Sequence, residues 1–439
     1  DVVQSSGKAI VDWRSFSIGA GEHTHFQQPS SASATLNRVK GGDPSRILGQ
    51  LTATGQVMLV NPNGVFFGPG SRVDVGALMA STADIANDDF LAGRYRFTTP
   101  SPNPNAGIVH QGEIRAADGG FVVLAAPYVR NEGSIQARLG QVVLAGAPTF
   151  TVDFDGDGLL QFDVGGPVTV APRGDDGQAV DALVANLGTV QADGGRVTLT
   201  ARAADQVIDR VIHMGGVVQA QTVESRGGEI VLGGGEVGTV AVSGTLDASG
   251  PAAGQRGGTV KVLGEKVGLL DGARVDASGG AGGGKVLVGG NFRGQGPEQN
   301  ARRTYVARGA RLDASALGRG DGGQVIVWAD EAAAVYGQVS AAGGSAGGDG
   351  GLIELSGKLH LAFDADVDLG APRGHPGTLF LDPLNIRIVA EGEDDAEVAD
   401  GEVLAGDRPG DALTLSETAL ESLAGNINVV LEATDSSTI

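Results

Sequence analysis

The sequence has no cysteine and few aromatic residues, and each shortage excludes a class of protein. Without cysteine, the chain forms no disulfide bond, no thiolate nucleophile and no cysteine-ligated metal site. Aromatic residues make up 4% of the 439 positions, which is too few to fill a wide globular core. A narrow core of Val, Leu, Ile and Ala needs none. No stretch approaches the roughly 18 consecutive apolar residues of a membrane helix, so we expect no transmembrane segment.

Basic residues are also scarce. The chain carries 31 Lys and Arg against 52 Asp and Glu, a net charge of −21, which argues against a nucleic-acid partner because a polyanion would be repelled. The 74 glycines follow no three-residue period, which excludes collagen. A hydrophobic content of 41% argues against disorder. These exclusions favour a repetitive array.

Short apolar segments recur at regular intervals in the middle of the chain. Gly188-Thr-Val-Gln-Ala192 and Gly244-Thr-Leu-Asp-Ala248 are examples, and each has an apolar centre between polar neighbours. The six centres lie 28, 28, 29, 37 and 27 residues apart and are Val190, Val218, Leu246, Val275, Leu312 and Val339. This period is too long for one hairpin and shows no helical stripe. It favours one coil of three short strands and three turns.

A second strand of period-two alternation follows each of these segments. Glycine pairs separate the strands and suit corners that need a positive φ. Stacked coils pair each strand in parallel with its equivalent one coil away, and β-crossovers are right-handed. We therefore predict an all-β fold, a right-handed parallel β-helix (solenoid) with short extra-helical strands and loops. The second strands are residues 196–200, 229–232, 259–262, 285–288, 324–327 and 352–355.

The repeat fades towards the end of the chain. We interpret the acidic stretch Glu391–Asp400 as a linker and Ser416–Gly425 as a small helix near the C-terminus, with Ser416 as its N-cap. A strand is expected at Ile427–Glu432. The predicted organisation is an N-terminal domain, a continuing β-helix shaft, and a linker that starts a further repeat or domain, at residues 1–150, 151–389 and 390–439 respectively.

Three motifs in the first third of the chain carry a family resemblance. They are Asn37-Arg-Val39, Gly55-Gln-Val-Met-Leu-Val-Asn-Pro-Asn-Gly-Val65 and Ala80-Ser-Thr-Ala-Asp-Ile85. In this order they resemble the secretion domain of two-partner secretion exoproteins, the filamentous-haemagglutinin-like proteins of Gram-negative bacteria. The family's second tetrapeptide, Asn-Pro-Asn-Leu, is not found.

The resemblance implies an export route. Such a domain is recognised by a dedicated outer-membrane transporter of the Omp85 type, through the transporter's periplasmic domains, and the exoprotein crosses unfolded and folds outside. Secretion to the extracellular cell surface is the implied location. Asn61, Pro62, Asn63 and Gly64 either take part in transporter recognition or hold a corner of the coil. Their chemistry suits a stiff turn, because Pro fixes φ, Asn bonds its own backbone and Gly adopts a positive φ.

The single 37-residue step reflects an insertion at residues 290–303. Its mixture of arginine, amide and aromatic side chains suits a polyanionic or sugar ligand, such as a host or polysaccharide ligand. The alternative is that the arginines only pair with Asp313 or Glu298. The candidate ligand residues are Phe292, Arg293, Asn300, Arg302 and Arg303.

Two features suggest a metal site, and neither is sufficient. Asp153-Phe-Asp-Gly-Asp-Gly158 matches the opening of a calcium loop, but its twelfth position is Val164 rather than Glu. We interpret it as an acidic turn between strands. His23 and His25 face the same side of a strand, but two ligands do not make a site. We expect no metal and no cofactor.

Catalysis deserves a test because some parallel β-helices are polysaccharide lyases and hydrolases. Asp247, Asp276 and Asp313 stack at one coil position. Each lies in a repeated Asp-Ala-Ser segment, which indicates a turn or a polar ladder rather than an acid–base pair of contrasting character. We expect no catalytic residue and no enzyme.

The sequence therefore predicts a secreted surface exoprotein, an adhesin with a β-helical shaft. Two alternatives stay open at this point. One is a carrier of a C-terminal toxin or haemolysin of the contact-dependent inhibition type. The other is a β-helical carbohydrate-active enzyme.

Overall fold

The chain is described from a computed structural model that covers residues 1–154, 160–174, 176–382, 386–389, 413–416 and 427–431. These residues fall into two units. Unit 1 comprises Asp1–Gln219 and Val231–Gly238, and unit 2 comprises Ala220–Ile230 and Thr239–Ile439. The strand Glu229–Gly233 falls across the division. None of the helices in the described ranges is long or apolar enough to span a bilayer.

Unit 1 contains three parallel sheets, named 1a, 1b and 1c, whose strands follow one another in rotation along the chain. Sheet 1a contains Val2–Val3, His23–Gln27, Gln50–Ala53, Arg72–Val75, Glu113–Ala116, Ser134–Gln136, Thr189–Gln191 and Val217–Gln219. Sheet 1b contains Lys8–Trp13, Ala34–Val39, Gln56–Val60, Ala77–Ser81, Phe121–Ala126, Gln141–Gly146 and Arg196–Ala201. Sheet 1c contains Ser45–Ile47, Val65–Phe67, Gly107–His110, Tyr128–Asn131, Val184–Asn186 and Arg210–Met214.

Apolar side chains stacked in register form the core of unit 1. In sheet 1a, Val190 pairs with Val218 on the next coil, as the repeat predicted. Every second side chain of each short strand points inward. The same row therefore continues towards the N-terminus through fully buried residues. The row consists of Leu51, Val73, Ile114, Ile135, Val190 and Val218. This narrow aliphatic core explains how a chain with few aromatic residues folds.

Unit 2 repeats the arrangement in sheets 2a, 2b and 2c. Sheet 2a contains Thr245–Asp247, Arg274–Asp276, Arg311–Asp313, Gln338–Ser340 and Asp366–Asp368. Sheet 2b contains Thr259–Leu263, Lys285–Val288, Gln324–Ala329, Leu352–Gly357, Thr378–Leu381 and Asn428–Leu431. Sheet 2c contains Thr239–Val242, Lys266–Leu269, Arg303–Val306, Ala332–Val335 and His360–Phe363. The predicted row of Leu246, Val275, Leu312 and Val339 is in register. The predicted parallel β-helix is confirmed.

An extra layer covers the outer face of sheet 1b. It consists of the α-helix Asn87–Ala92 and an antiparallel sheet of Tyr95–Phe97, Phe150–Phe154 and Leu160–Val164. Its aromatic rings pack on the outward side chains of sheet 1b, and Phe97 stacks on Phe150 with ring centroids 4.5 Å apart. The strands Ala34–Val39, Ala77–Ser81, Phe121–Ala126 and Gln141–Gly146 of sheet 1b are buried on both faces. The predicted extra-helical strands are confirmed.

The C-terminal predictions are tested only in part. A strand lies at Asn428–Leu431, within the predicted Ile427–Glu432. Ser416 closes the strand Leu413–Ser416, which pairs in parallel with Ile386–Val389. The remainder of the predicted helix to Gly425 and the acidic stretch Glu391–Asp400 lie outside the described residues.

Candidate functional site

The three sequence motifs of the first third lie side by side on sheet 1b. The strand Ala34–Val39 pairs with Gln56–Val60, which pairs with Ala77–Ser81. Arg38, Val60 and Ser81 are in register at the ends of these strands. Residues far apart in sequence thus meet at one corner of three consecutive coils. We call the ends of these three strands and the segments that follow them the motif corner.

Arg38 makes four side-chain hydrogen bonds in the motif corner. It is 5% exposed, and its Nε donates to Asp84 Oδ1 at 2.7 Å. Its Nη2 donates to the carbonyl of Ile85 at 2.6 Å and its Nη1 to Asn87 Oδ1 at 2.9 Å. Asp12 accepts a longer bond of 3.4 Å from Nη1. The guanidinium therefore links sheet 1b to the start of the helix Asn87–Ala92.

Asn61 opens the turn that follows the second motif strand, and its side chain is completely buried. Its Nδ2 donates to the Asp43 carbonyl and to Ser45 Oγ, each at 3.0 Å. Its Oδ1 accepts from the backbone N–H of Asn63 at 2.9 Å. Its own backbone N–H donates to the Ser81 carbonyl at 3.0 Å. Asn61 is therefore a structural residue, because every polar group of the side chain is used inside the fold.

The rest of the turn is stiff but partly exposed. Gly64 has φ +109°, and its N–H donates to the Asn61 carbonyl at 3.0 Å. A Cβ at Gly64 would lie 3.0 Å from the carbonyl oxygen of Gly107, so this position favours glycine in both conformation and space. Asn63 Nδ2 donates to the Gly41 carbonyl at 2.9 Å. Pro62 and Asn63 are each partly exposed, so they present the turn to solvent.

A second Asn-Pro-Asn turn was missed by the sequence reasoning, which sought only the tetrapeptide ending in Leu. In Asn103-Pro-Asn-Ala106, the N–H of Asn105 donates to Asn103 Oδ1 at 3.0 Å and that of Ala106 to the Asn103 carbonyl at 3.1 Å. The same two bonds close the Asn61 turn. Ser101 Oγ lies 2.6 Å from the Pro62 carbonyl and 3.1 Å from the Asn103 carbonyl. The two turns are therefore neighbours, and the repeated Asn-Pro-Asn tripeptide was the available signal.

Two further functional candidates were present in the motifs without an assigned role. Asn37 is fully buried, accepts from Trp13 Nε1 at 3.0 Å and donates to the Met58 carbonyl at 3.3 Å. Asp84 Oδ1 accepts the hydrogen bond from Arg38 described above, and it also accepts from the N–H of Ile85 at 2.8 Å. For Asn37 the signal was a polar residue inside an apolar strand, which indicates a satisfied buried group.

In unit 2, the candidate ligand residues separate into two sets. Phe292 and Arg293 lie in a 3-10 turn, where Phe292 packs on Trp328 and the Arg293 guanidinium lies 4.8 Å from the ring centroid of Phe380. Asn300 Nδ2 donates to the Gly294 carbonyl at 2.9 Å. These residues line the outer side of sheet 2b, and their ligand role stays a prediction.

Arg302 and Arg303 form the other set, next to the strand Arg303–Val306. Arg302 pairs with Glu265 at 3.3 Å and with Glu331 at 2.9 Å, and Arg303 Nε lies 3.5 Å from Glu331 Oε2. The arginines do pair, but the predicted partners Asp313 and Glu298 were wrong. Glu298 bonds Lys261 at 2.9 Å instead. The true partners lie on the preceding and following coils, where the stacking places them.

Glu354 is a buried carboxylate of this region. Both of its oxygens accept from the Arg293 N–H at 3.0 Å, and its side chain is fully buried. Burial raises the pKa of Glu354 to about 7, Asp382 adds to the increase, and the bonds from Arg293 and Ser356 oppose it. Glu354 and the inserted loop therefore stabilise each other.

The stacked aspartates form turns. Asp247, Asp276 and Asp313 follow one another in register, and each Oδ1 accepts from the N–H of the serine two residues later at 2.8–2.9 Å. The interpretation as turns in a polar ladder is confirmed. Burial raises the pKa of Asp276, and the charges of Asp247 and Asp313 add to this, while the bonds from Ser278 oppose it.

The histidine pair and the acidic loop were the candidate metal features. His23 Nε2 and His25 Nδ1 both contact Thr52 Oγ1, at 2.7 and 2.8 Å, so they do face one side of the strand. Asp153 lies in the strand Phe150–Phe154, and residues 155–158 of the loop lie outside the described residues. Within the described ranges, no group of three His, Cys, Asp or Glu side chains is placed to hold a metal ion.

Comparison with known proteins places these features in a family. The TPS secretion domain matches residues 1–262. Two proteins of Haemophilus influenzae, each named heme/hemopexin-binding protein, are 33% identical over 236 residues and 31% identical over 254 residues. The matches cover 52% and 53% of this chain but only 24% and 25% of those proteins, so the chain spans about a quarter of their length.

A solved structure agrees with the sequence comparison. The crystal structure of the HMW1 secretion domain from Haemophilus influenzae superposes with a TM-score of 0.70 and 28% identity, over 84% of this chain and 95% of that one. The shared fold, the matched family and the motif corner point to the same conclusion. The chain belongs to the TPS, or two-partner secretion, secretion-domain family.

Proposed function

We propose that the motif corner directs export through an Omp85-type outer-membrane transporter, and that the β-helical coils then display an adhesive surface outside the cell. Membership of the family implies a dedicated transporter and passage across the outer membrane. Our further proposal concerns which residues the transporter recognises and what the chain does after export. The supporting observation is the pair of neighbouring Asn-Pro-Asn turns.

Those turns have the properties of a recognition element. Asn61 and Gly64 are buried and hold the backbone, whereas Pro62 and Asn63 are partly exposed. Pro104 and Asn105 of the second turn are exposed. A stiff turn loses little conformational entropy when a partner binds it. We therefore assign recognition to the exposed residues and turn geometry to the buried ones.

Secretion of the full chain with its transporter tests the recognition role. Pro62→Arg adds bulk and charge at a partly exposed site, and we expect at least about a tenfold loss of protein in the medium, which corresponds to about 1.4 kcal/mol. Pro69→Arg, at an exposed proline of the next turn, is the matched control and should be secreted normally. Normal secretion of Pro62→Arg with unchanged folding would contradict direct recognition.

We propose an adhesive rather than a catalytic role for the exported chain. The stacked aspartates are engaged in turns, which supports our proposal that the chain is not an enzyme. A carrier of a C-terminal toxin or haemolysin is the alternative. Beads coated with the purified chain should bind epithelial cells, and hemin and hemopexin serve as additional probes because the relatives are named for them. Beads that bind no cells would contradict the adhesin proposal.

A further inference from the structure

Sheet 2c of unit 2 carries an unusual row of outward side chains. Gly268, Tyr305, Ala334 and Ala362 are register partners on four consecutive strands. Tyr305 is therefore the one side chain in this row that is longer than a methyl group, and 44% of it is exposed. An aromatic ring that protrudes above a row of glycine and alanine residues is a surface on which another flat group can stack.

A second tyrosine completes an aromatic ledge. Tyr336 follows the strand Ala332–Val335, and its ring meets that of Tyr305 edge-on, with centroids 6.0 Å apart and an interplanar angle of 65°. Ala332 and Ala334 point outward, because Ala333 and Val335 between and after them are buried. The two rings thus border a shallow depression that has an alanine floor.

Charged groups flank this depression as compensated pairs. Arg303 lies two residues before Tyr305, is 58% exposed and contacts Glu331 at 3.5 Å. Arg308 lies over the Tyr336 ring at 5.5 Å and pairs with Asp364 at 2.7 Å. Arg302 shares Glu331 with Arg303 and also contacts Glu265, so three arginines here face three carboxylates. Together they offer both N–H donors and carboxylate acceptors. A polyanion gains little from such a surface, especially on a chain of net charge −21.

We propose that the Tyr305–Tyr336 ledge is a binding site for a neutral hexose polysaccharide. A sugar ring has an apolar C–H face, which packs on an aromatic ring, and a rim of hydroxyl groups, which need both donors and acceptors. The ledge supplies the ring, and the Arg303–Glu331 and Arg308–Asp364 pairs supply the polar partners. The row crosses successive coils, which lie about 4.8 Å apart. We expect an extended polysaccharide chain to lie along this row. This inference rests on the proposed adhesive function and identifies its ligand class.

Binding of the purified full chain to an array of immobilised oligosaccharides tests the site. The array includes neutral hexose chains and heparin. We expect retention on neutral chains, at both 0.1 and about 0.5 M salt, because the charged groups at the ledge are already paired and screening affects unpaired charges most. Retention on heparin alone, or on no glycan, would overturn the proposal.

Four variants locate the binding. Tyr305→Ala should weaken it at least about tenfold, and Tyr305→Phe should stay within about threefold, since the ring is kept. Ala334→Ile fills the depression from an outward position without touching the core and should also weaken binding at least about tenfold. Leu317→Ala, at a side chain that is 49% exposed elsewhere in unit 2, is the matched control. Unchanged binding by both Tyr305→Ala and Ala334→Ile would overturn the site.

These outcomes separate the ledge from the broader proposal. A chain that binds cells but no glycan refutes the ledge and leaves the adhesive function intact. A chain that binds neither refutes both. None of the four variants touches the motif corner of unit 1, so secretion through the transporter should remain at the wild-type amount in each of them.

Discussion

The Nε of Arg38 donates to Asp84 Oδ1 at 2.7 Å, and this bond joins two sequence motifs that are 46 residues apart. The Arg38 side chain is 6% exposed and the Asp84 side chain 30%. A charge removed from water to this extent requires its partners to stay in place. The pair therefore explains in physical terms why both motifs belong to one structural corner.

Loss of the Arg38 guanidinium should destabilise unit 1. Arg38→Ala leaves the Ile85 carbonyl and Asn87 Oδ1 without this donor and leaves the Asp84 carboxylate without its charged partner, and we expect a loss of about 3–5 kcal/mol in the free energy of unfolding. Urea unfolding followed by circular dichroism measures it. Arg94→Ala breaks the more exposed pair with Asp89, at 2.8 Å, and should cost about 1 kcal/mol or less. Equal effects of the two substitutions would contradict the assigned role.

The coil repeat was predictable because apolar centres recur in the later coils, several of them between polar neighbours. Val190 and Leu246 illustrate this, and they pair with Val218 and Val275 as expected. The outer layer was predicted only in general terms. Phe121–Ala126 is buried on both faces, so its continuous apolar pattern does not show which side carries the coil and which side carries the aromatic layer.

Side-chain partners were the least predictable feature. Glu265 and Glu331 lie on the coils before and after Arg302. Stacking of these coils brings the three side chains together, although the inserted loop makes their spacing along the chain irregular. Asp84 likewise reaches Arg38, which lies 46 residues away in sequence. Periodicity indicates which residues share a row, but it does not indicate how a loop between rows turns its side chains. The proposed ledge at Tyr305 likewise required the register between strands.

Asn61 and Asn63 should differ in their effect on stability. Asn61→Ala removes two donated bonds and leaves the N–H of Asn63 without its acceptor, so we expect a loss of about 2–3 kcal/mol. Asn63→Ala removes the bond to Gly41 from a partly exposed side chain, at a cost of about 0.5–1.5 kcal/mol. Urea midpoints of the two variants provide the comparison. A larger loss for Asn63→Ala would show that the burial of Asn61 is not what holds the turn.

His110 should make unit 1 sensitive to acid. It is fully buried, its Nδ1 lies 2.7 Å from Asn131 Oδ1, and its Nε2 has no hydrogen-bond partner among the described residues. Burial lowers the pKa of His110 to about 4 from 6.5, although the bond to Asn131 opposes this. The folded state therefore binds a proton at this histidine less readily than the unfolded chain does. The free energy of unfolding is accordingly unaffected by His110 above pH 6.5 and falls as the pH drops from 6.5 to 4.

Urea unfolding at pH 7.5 and pH 5 measures this loss. A pKa depressed to about 4 predicts that the wild type loses about 2 kcal/mol more than His110→Asn between these pH values. Asparagine suits the position because it keeps a polar side chain beside Asn131 and Asn186, which are hydrogen-bonded to each other at 2.7 Å. Identical pH dependence in the two proteins would mean that His110 is protonated equally easily in the folded and unfolded states.

Glu354 should give unit 2 the opposite pH dependence. Its pKa is raised from 4.5 to about 7, mainly by burial, so the folded state retains a proton that the unfolded chain has released. The stabilising contribution is therefore complete below pH 4.5 and is lost as the pH rises through 7. Glu354→Gln, which removes the titration, should lose about 2–3 kcal/mol less than the wild type between pH 5 and 8.

The two tryptophans of the chain allow this effect to be measured separately. Trp328 lies in the cluster with Phe292, beside the loop that Glu354 holds, and its Nε1 donates to Asp330 Oδ1 at 2.9 Å. In a Trp13→Phe background, fluorescence reports on Trp328 alone. The unfolding midpoint should then fall from pH 5 to pH 8 with Glu354 present and stay level with Gln in its place. The charges of Asp382 and of the Arg293 guanidinium are unchanged by the substitution. A midpoint that falls equally in the Glu354 and Glu354→Gln proteins would therefore assign the pH dependence to groups other than Glu354.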